Sequence, residues 1–93
     1  MELEIIAVYT IIDDLLISIG HHTDPQARMS DAEVMTTVIA AAAYYGGNHK
    51  NACCMLKENG YIPNMLGHSR YNRRLHRISY LFETLFAFLA GNS

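Results

Sequence analysis

The segment that decides the fold is SDAEVMTTVIAAAAYYGG, residues 30–47. Ser30 and Glu33 have the spacing of a capping box, in which each side chain binds the other residue's backbone N–H, so a helix is predicted to begin here. Gly46 and Gly47 predict its end at about Tyr45. The alanines at 40–43 add little side-chain bulk, so a neighbouring helix can approach closely. The predicted apolar face consists of Val34, Met35, Val38, Ala41, Ala42 and Tyr45.

Three further helices are predicted around this segment. The first runs from about Glu2 to Ile19, the third from a cap at Asn48 to about Asn59, and the fourth from a cap at Ser69 to about Ala90. The first helix has one apolar stripe at helical spacing, formed by Ile5, Val8, Tyr9, Ile12, Leu15, Leu16 and Ile19. The 93 residues are therefore expected to form one all-α domain, a compact bundle of about four helices.

The composition excludes several classes of protein. Hydrophobic residues make up 51 % of the chain, so a disordered chain is not expected. The longest apolar run, 38–45, is too short to cross a bilayer. Glu2 and Glu4 stand where a signal peptide would carry positive charge. The adjacent Cys53 and Cys54 point in different directions on a helix and form no obvious disulfide, so we expect a cytoplasmic protein.

Charge is distributed unevenly along the chain. Residues 1–46 hold seven acidic residues and one basic residue, whereas residues 47–93 hold six basic and two acidic residues. Such an imbalance is typical of a protein whose basic half binds a polyanion. Charge balance between the two halves of one chain explains the totals equally well.

The basic half is concentrated in SRYNRRLHRI, residues 69–78. On a helical wheel Arg70, Arg73, Arg74 and Arg77 share one face. Tyr71, Leu75, Ile78 and Phe82 form a core side, and Asn72, His76, Ser79 and Glu83 form a third side. Arginine forks suit phosphate, and a helix with arginine and asparagine can read base edges in the DNA major groove. The alternative is a solvated face, or arginines paired with acids of residues 1–46.

A second feature compatible with DNA binding is the hairpin from Asp31 to Asn59. Its short Gly46–Gly47 turn fits a helix-turn-helix, with His49 and Lys50 at the start of the second helix. Many two-helix hairpins share this pattern. The predicted DNA-binding residues are therefore Arg70, Arg73, Arg74, Arg77, Asn72, His76 and Lys50.

No motif in the sequence indicates catalysis or a cofactor. His49 and Cys53 lie four residues apart, but the paired ligands typical of a zinc site do not occur. Asp13 and Asp14 are helix neighbours that cannot face one site, and Asp31 with Glu33 is better explained by capping. We expect no metal, no cofactor and no enzymatic activity in this chain by itself.

The end of the predicted fourth helix carries six large apolar residues within nine positions. One face of a small domain cannot bury them all, so an interface is expected, most simply in a symmetric homodimer. The alternative is that the first helix wraps round the fourth and buries the cluster within one chain. The predicted interface residues are Leu81, Phe82, Leu85, Phe86, Phe88 and Leu89.

Three stretches together resemble the N-terminal region of bacterial insertion-sequence transposases of the DDE type: MSDAEVMTT (29–37), YYGGNH (44–49) and HSRYNRRLHRI (68–78). In that family a capped helix precedes a glycine-containing turn, a short helix and an S-x-Y-N-R segment. The likeness extends over about residues 4–90. It implies a domain that recognises the DNA of the element ends or assists subunit assembly during transposition.

The resemblance also implies a longer parent protein. The family's catalytic domain is RNase H-like and holds two divalent metal ions with three carboxylates. No residue of this chain matches those catalytic motifs, so that domain is expected to be absent from it. Because the chain ends at Gly91-Asn92-Ser93, where the family's proteins continue, we expect either a truncated reading frame or an excised domain.

Overall fold

The computed structural model describes residues 2–91, with side chains from Glu4 onward. Its five helices are α1 (Glu2–Ser18), α2 (Asp31–Tyr44), α3 (His49–Glu58), α4 (His68–Ile78) and α5 (Tyr80–Leu89). No strand occurs within this span, so the all-α prediction is confirmed, with five helices in place of about four. None of the described helices is both long and apolar enough to cross a membrane.

α2 is the centre of the fold and packs against α1, α3 and α4. Its predicted capping box is present: Ser30 Oγ accepts from the Glu33 N–H (3.1 Å), and Glu33 Oε1 accepts from the Ser30 N–H (2.8 Å). The buried hydroxyls of Thr36 and Thr37 donate to the carbonyls of Ala32 and Glu33. Although most of the surface of α2 is buried, the hydroxyls of both threonines therefore have hydrogen-bond partners.

The helices on either side of α2 also follow the sequence pattern. The α1 stripe faces the core, with Ile5, Ile12, Leu15 and Leu16 buried, although Ile19 lies beyond the helix end and is exposed. The left-handed backbone that ends α2 is adopted by Gly46 and Gly47. Asn48 then caps α3 by accepting from the Asn51 N–H (3.0 Å), as predicted.

The prediction of one helix from Ser69 to Ala90 is wrong. Ser79 separates α4 from α5, because its hydroxyl donates to the His76 carbonyl (3.1 Å) and its carbonyl accepts from the Phe82 N–H (3.1 Å). Bonds between residues three apart interrupt the regular pattern of bonds between residues four apart. The predicted cap at Ser69 is also wrong, since α4 begins at His68 after Gly67, without a side-chain cap.

α5 buries part of the predicted interface cluster within the chain. Leu81 and Leu85 are buried, and Phe82 packs against the core with its ring 6.0 Å from that of Phe86. The assignment of Leu81 and Leu85 to an intermolecular interface is therefore wrong. Three members of the predicted interface remain more than half exposed: Phe86, Phe88 and Leu89.

Candidate nucleic-acid interface

An open groove of about 680 Å³ lies between α4 and the loop that joins α1 to α2. The loop forms one wall, and the arginine face of α4 forms the other. Five arginines line the groove against two aspartates, so its surface is strongly basic. The lining residues are His21, Thr23, Asp24, Gln26, Ala27, Arg28, Asp31, Leu66, Arg70, Arg73, Arg74, Arg77, Ile78 and Tyr80.

The rotation of α4 is fixed by its buried side. Tyr71 and Ile78 are both buried, and the Tyr71 hydroxyl forms a 2.8 Å hydrogen bond with Nδ1 of His49. Burial raises the pKa of Tyr71, so its hydroxyl stays protonated and available for this bond. With these two positions held in the core, the 3.6-residue period turns the arginines toward the groove.

The loop that forms the opposite wall is fixed by local and long-range hydrogen bonds. Asp24 Oδ1 accepts from the Gln26 N–H (2.9 Å) in a turn beside Pro25. The Asn64 side chain donates to the carbonyl of Arg28, which anchors the end of this loop to the segment after α3. Arg28 itself is exposed and lines the groove, and no ion pair or hydrogen bond engages its side chain within the described residues.

Asp31 forms the floor of the groove. Its Oδ1 accepts from Arg74 (2.7 Å) and its Oδ2 from Nε2 of His21 (2.6 Å), while its backbone N–H donates to Thr23 Oγ1 (2.9 Å). Arg74 also donates to the carbonyl of Met29 (2.7 Å). Burial alone would raise the pKa of Asp31, but the hydrogen bonds from His21 and Arg74 outweigh it and hold the pKa below its ordinary value.

The four predicted arginines therefore differ in role. Arg74 forms an ion pair with Asp31, and the two side chains are only 15 % and 9 % exposed. For Arg74, the alternative that the arginines pair with acids of residues 1–46 is therefore correct. Arg70, Arg73 and Arg77 are exposed, and no ion pair or hydrogen bond engages their side chains within the described part of the chain. These three are available to bind an anion.

The other predicted DNA-binding residues do not lie at the groove. Asn72 donates to Nε2 of His68 (3.2 Å) on a different side of α4, and His76 is exposed away from the groove. Lys50 is exposed on α3, whereas its neighbour His49 faces Tyr71. The start of α3 therefore packs partly against α4, which removes His49 from the surface that a helix-turn-helix would present.

Sequence reasoning missed the contribution of the first loop. Arg28 is the only basic residue among residues 1–46 and stands close before the capped start of α2. This isolated positive charge is a signal from which its contribution to the groove could have been predicted. His21 and Thr23 gave no such signal, because their hydrogen bonds with Asp31 join residues ten and eight positions apart. Asp31 itself was attributed to helix capping, and its pairing with Arg74 joins residues 43 positions apart.

Metal binding and thiol chemistry find no support in the geometry. Among residues 2–91, His, Cys, Asp and Glu side chains do not form a group of three that could hold a metal ion. Burial raises the pKa of the Cys53 thiol to about 11, so it stays protonated at neutral pH and packs against the core.

Together the helices and the groove define a small all-α domain with a basic groove on its surface. Comparison with protein-family models, with curated proteins and with solved structures found no match to this chain.

Proposed function

We propose that this chain is the DNA-binding N-terminal domain of an insertion-sequence transposase, and that the groove binds backbone phosphates of duplex DNA at the element ends. The observation that carries the proposal is the row of Arg70, Arg73 and Arg77, which is exposed, has no partners among the described residues and lies opposite Arg28. The resemblance of residues 29–37, 44–49 and 68–78 to that family supports the same function.

Electrostatic repulsion favours this function for the arginine row. Arg70 and Arg77 are about 10 Å apart along the helix axis, and Arg73 lies between them. Without acidic partners the three guanidinium groups repel one another, and a phosphate shared between neighbours relieves that repulsion through charge-assisted hydrogen bonds. The row is long enough for more than one phosphate. Contacts of this kind position a domain on DNA without reading its sequence.

The first prediction concerns the salt dependence of this binding. If Arg28, Arg70, Arg73 and Arg77 each neutralise one phosphate, the log–log slope of affinity against salt is about −3.6 for a duplex. Replacing both Arg73 and Arg77 with alanine should weaken binding at low salt and reduce the slope to about −1.8. Fluorescence anisotropy of a short labelled duplex, titrated at several KCl concentrations, measures both quantities.

The matched control is the double variant Lys50→Ala/Lys57→Ala, which removes the same charge from exposed positions on α3. It should leave the slope at about −3.6, because neither lysine lines the groove. Equal losses in the two double variants would show that binding depends on overall charge alone. An unchanged slope for the arginine variant would contradict the assignment of the phosphate site.

A second candidate function is self-association, and the exposed end of α5 is the observation that favours it. Phe86, Phe88 and Leu89 place three large apolar side chains in about one turn of helix, which is unusual for a surface that faces only water. Of the predicted cluster, Leu81 and Leu85 are buried within one chain, and Phe82 is half-buried against its core. A symmetric dimer would bury the remaining three residues against their copies.

The prediction for this second function is a dimer that dissociates on dilution. Light scattering over a dilution series should show a mass that falls from dimer to monomer. Phe88→Glu should give a monomer at every concentration, because each dimer would bury two unpaired carboxylates. Glu83→Gln, on the same helix and also exposed, is the control and should leave the mass curve unchanged. A monomeric parent chain at all concentrations would exclude this function.

A further inference from the structure

Tyr80 is the feature of the groove that phosphate binding does not explain. Its side chain is 58 % exposed and lines the groove, yet the next residue, Leu81, is the one that enters the core. Within the described residues its ring makes no aromatic contact and its hydroxyl no hydrogen bond. An aromatic ring left open to water beside guanidinium groups is therefore available to a ligand.

Tyr80 adds apolar surface to a groove that is otherwise mainly positively charged. Leu66 and Ile78 also line the groove, but both are largely buried in the core, so the Tyr80 ring is its large exposed apolar group. A purely phosphate-binding surface has no use for such a ring. A nucleotide, by contrast, presents a flat apolar base and an anionic phosphate together. Proteins that bind unpaired strands use this combination of a basic groove and an aromatic ring on which a base stacks.

The dimensions of the groove agree with such a ligand. Its volume of about 680 Å³ falls among those of sites that enclose small organic molecules. A base within a duplex is stacked on both faces and cannot enter a concave site of this kind, whereas an unpaired base at a strand end can. The groove therefore fits one or two unpaired nucleotides, with their phosphates on Arg73 and Arg77.

We infer that Tyr80 is a stacking platform for an unpaired nucleobase, so that the groove's ligand is a DNA end carrying a single-stranded overhang. This inference rests on the proposed function, because the arginines must bind the phosphates of the same strand. It adds a base-contacting residue and a substrate class, a duplex end with an overhang. The preference for a duplex end with an overhang over a blunt duplex end comes from stacking and not from charge.

The experiment compares a blunt duplex with the same duplex carrying a short 3′ or 5′ overhang, each measured by anisotropy at fixed salt. The parent chain should bind one overhang about tenfold more tightly than the blunt end. Tyr80→Ala should abolish that difference, while Tyr80→Phe should retain it, because stacking needs the ring and not the hydroxyl. Tyr44→Ala, an exposed tyrosine outside the groove, is the control and should also retain it.

The outcomes separate this inference from the proposed function. If both DNAs bind with equal affinity, or if Tyr80→Ala keeps the overhang preference, the stacking role is wrong and phosphate binding stands. If neither DNA binds at low salt, the proposed function fails first. Equal melting temperatures of Tyr80→Ala and the parent chain show that the variant is folded, which its exposed position predicts.

Discussion

Asp31→Ala is expected to destabilise the domain by about 3 kcal/mol. The substitution removes the acceptor of both Arg74 and His21 and leaves the Arg74 guanidinium largely buried beside only one carbonyl, that of Met29. Removing one partner of a buried ion pair costs far more than the pair contributes, because the remaining charge loses its solvation without compensation. Urea unfolding at neutral pH measures the loss.

The size of this effect is large for so small a domain. At about 0.05–0.15 kcal/mol per residue, the whole free energy of unfolding is only a few times greater than the expected loss. Asp14→Ala is the control: Asp14 is exposed on α1 with no ion pair in the described residues, so its stability should change by less than about 0.5 kcal/mol. Similar losses for the two variants would show that the Asp31–Arg74 pair is not structurally important.

The pH dependence of stability provides a second measurement on the same residue. Because the pKa of Asp31 is lower in the folded chain than in the unfolded chain, the unfolded chain binds more protons between those two values. The stabilisation is therefore complete above about pH 4 and is lost as the pH falls through the lowered pKa. The free energy of unfolding of Asp31→Asn should therefore fall less steeply at acid pH than that of the parent chain. An identical pH dependence would contradict the lowered pKa of Asp31.

The parts of the fold that the sequence predicts correctly are set by local interactions. The Ser30–Glu33 box and the Asn48 cap each join residues three positions apart, so both are visible in a short stretch of sequence. The buried stripe of α1 follows equally from its period. These features require no knowledge of what packs against the helix.

The break at Ser79 is different, because serine is compatible with a continuous helix. Nothing in the local pattern distinguishes a hydroxyl that points to solvent from one that donates to the His76 carbonyl. The choice is made by packing: the turn allows Leu81 and Leu85 to enter the core that α2 organises. A helical wheel drawn through Ser79 keeps Leu85 on the core side and places Leu81 beside the arginine face, so the burial of Leu81 is what it misses.

The groove likewise combines features that the local sequence predicts with features that only the fold determines. The arginine face of α4 is predictable from its spacing, but which arginine is free depends on the position of Asp31, 43 residues away. The opposite wall is a loop without periodicity, so neither Arg28 nor His21 could be placed there in advance. Sequence thus predicts a cationic helix face, and only the fold converts it into a groove with three available arginines, an Asp31 floor and Tyr80 at one end.

The reassignment of α5 leads to the second prediction with a large effect. Leu85→Ala should cost about 3 kcal/mol, because Leu85 is fully enclosed and truncation leaves a cavity that a small core cannot fill. A residue at an intermolecular interface would behave differently: its truncation would change the mass of the protein and its concentration dependence but leave the monomer's stability nearly intact.

Phe88→Ala is the matched control for Leu85→Ala, since both shorten a large apolar side chain of α5 within one turn. Phe88 is mostly exposed, so at a protein concentration low enough to keep the chain monomeric its truncation should change stability by less than about 0.5 kcal/mol. A comparison of the urea midpoints of the two variants under these conditions shows which side of α5 faces the core. A large loss for Phe88→Ala with a small loss for Leu85→Ala would mean that α5 turns its other side to the core.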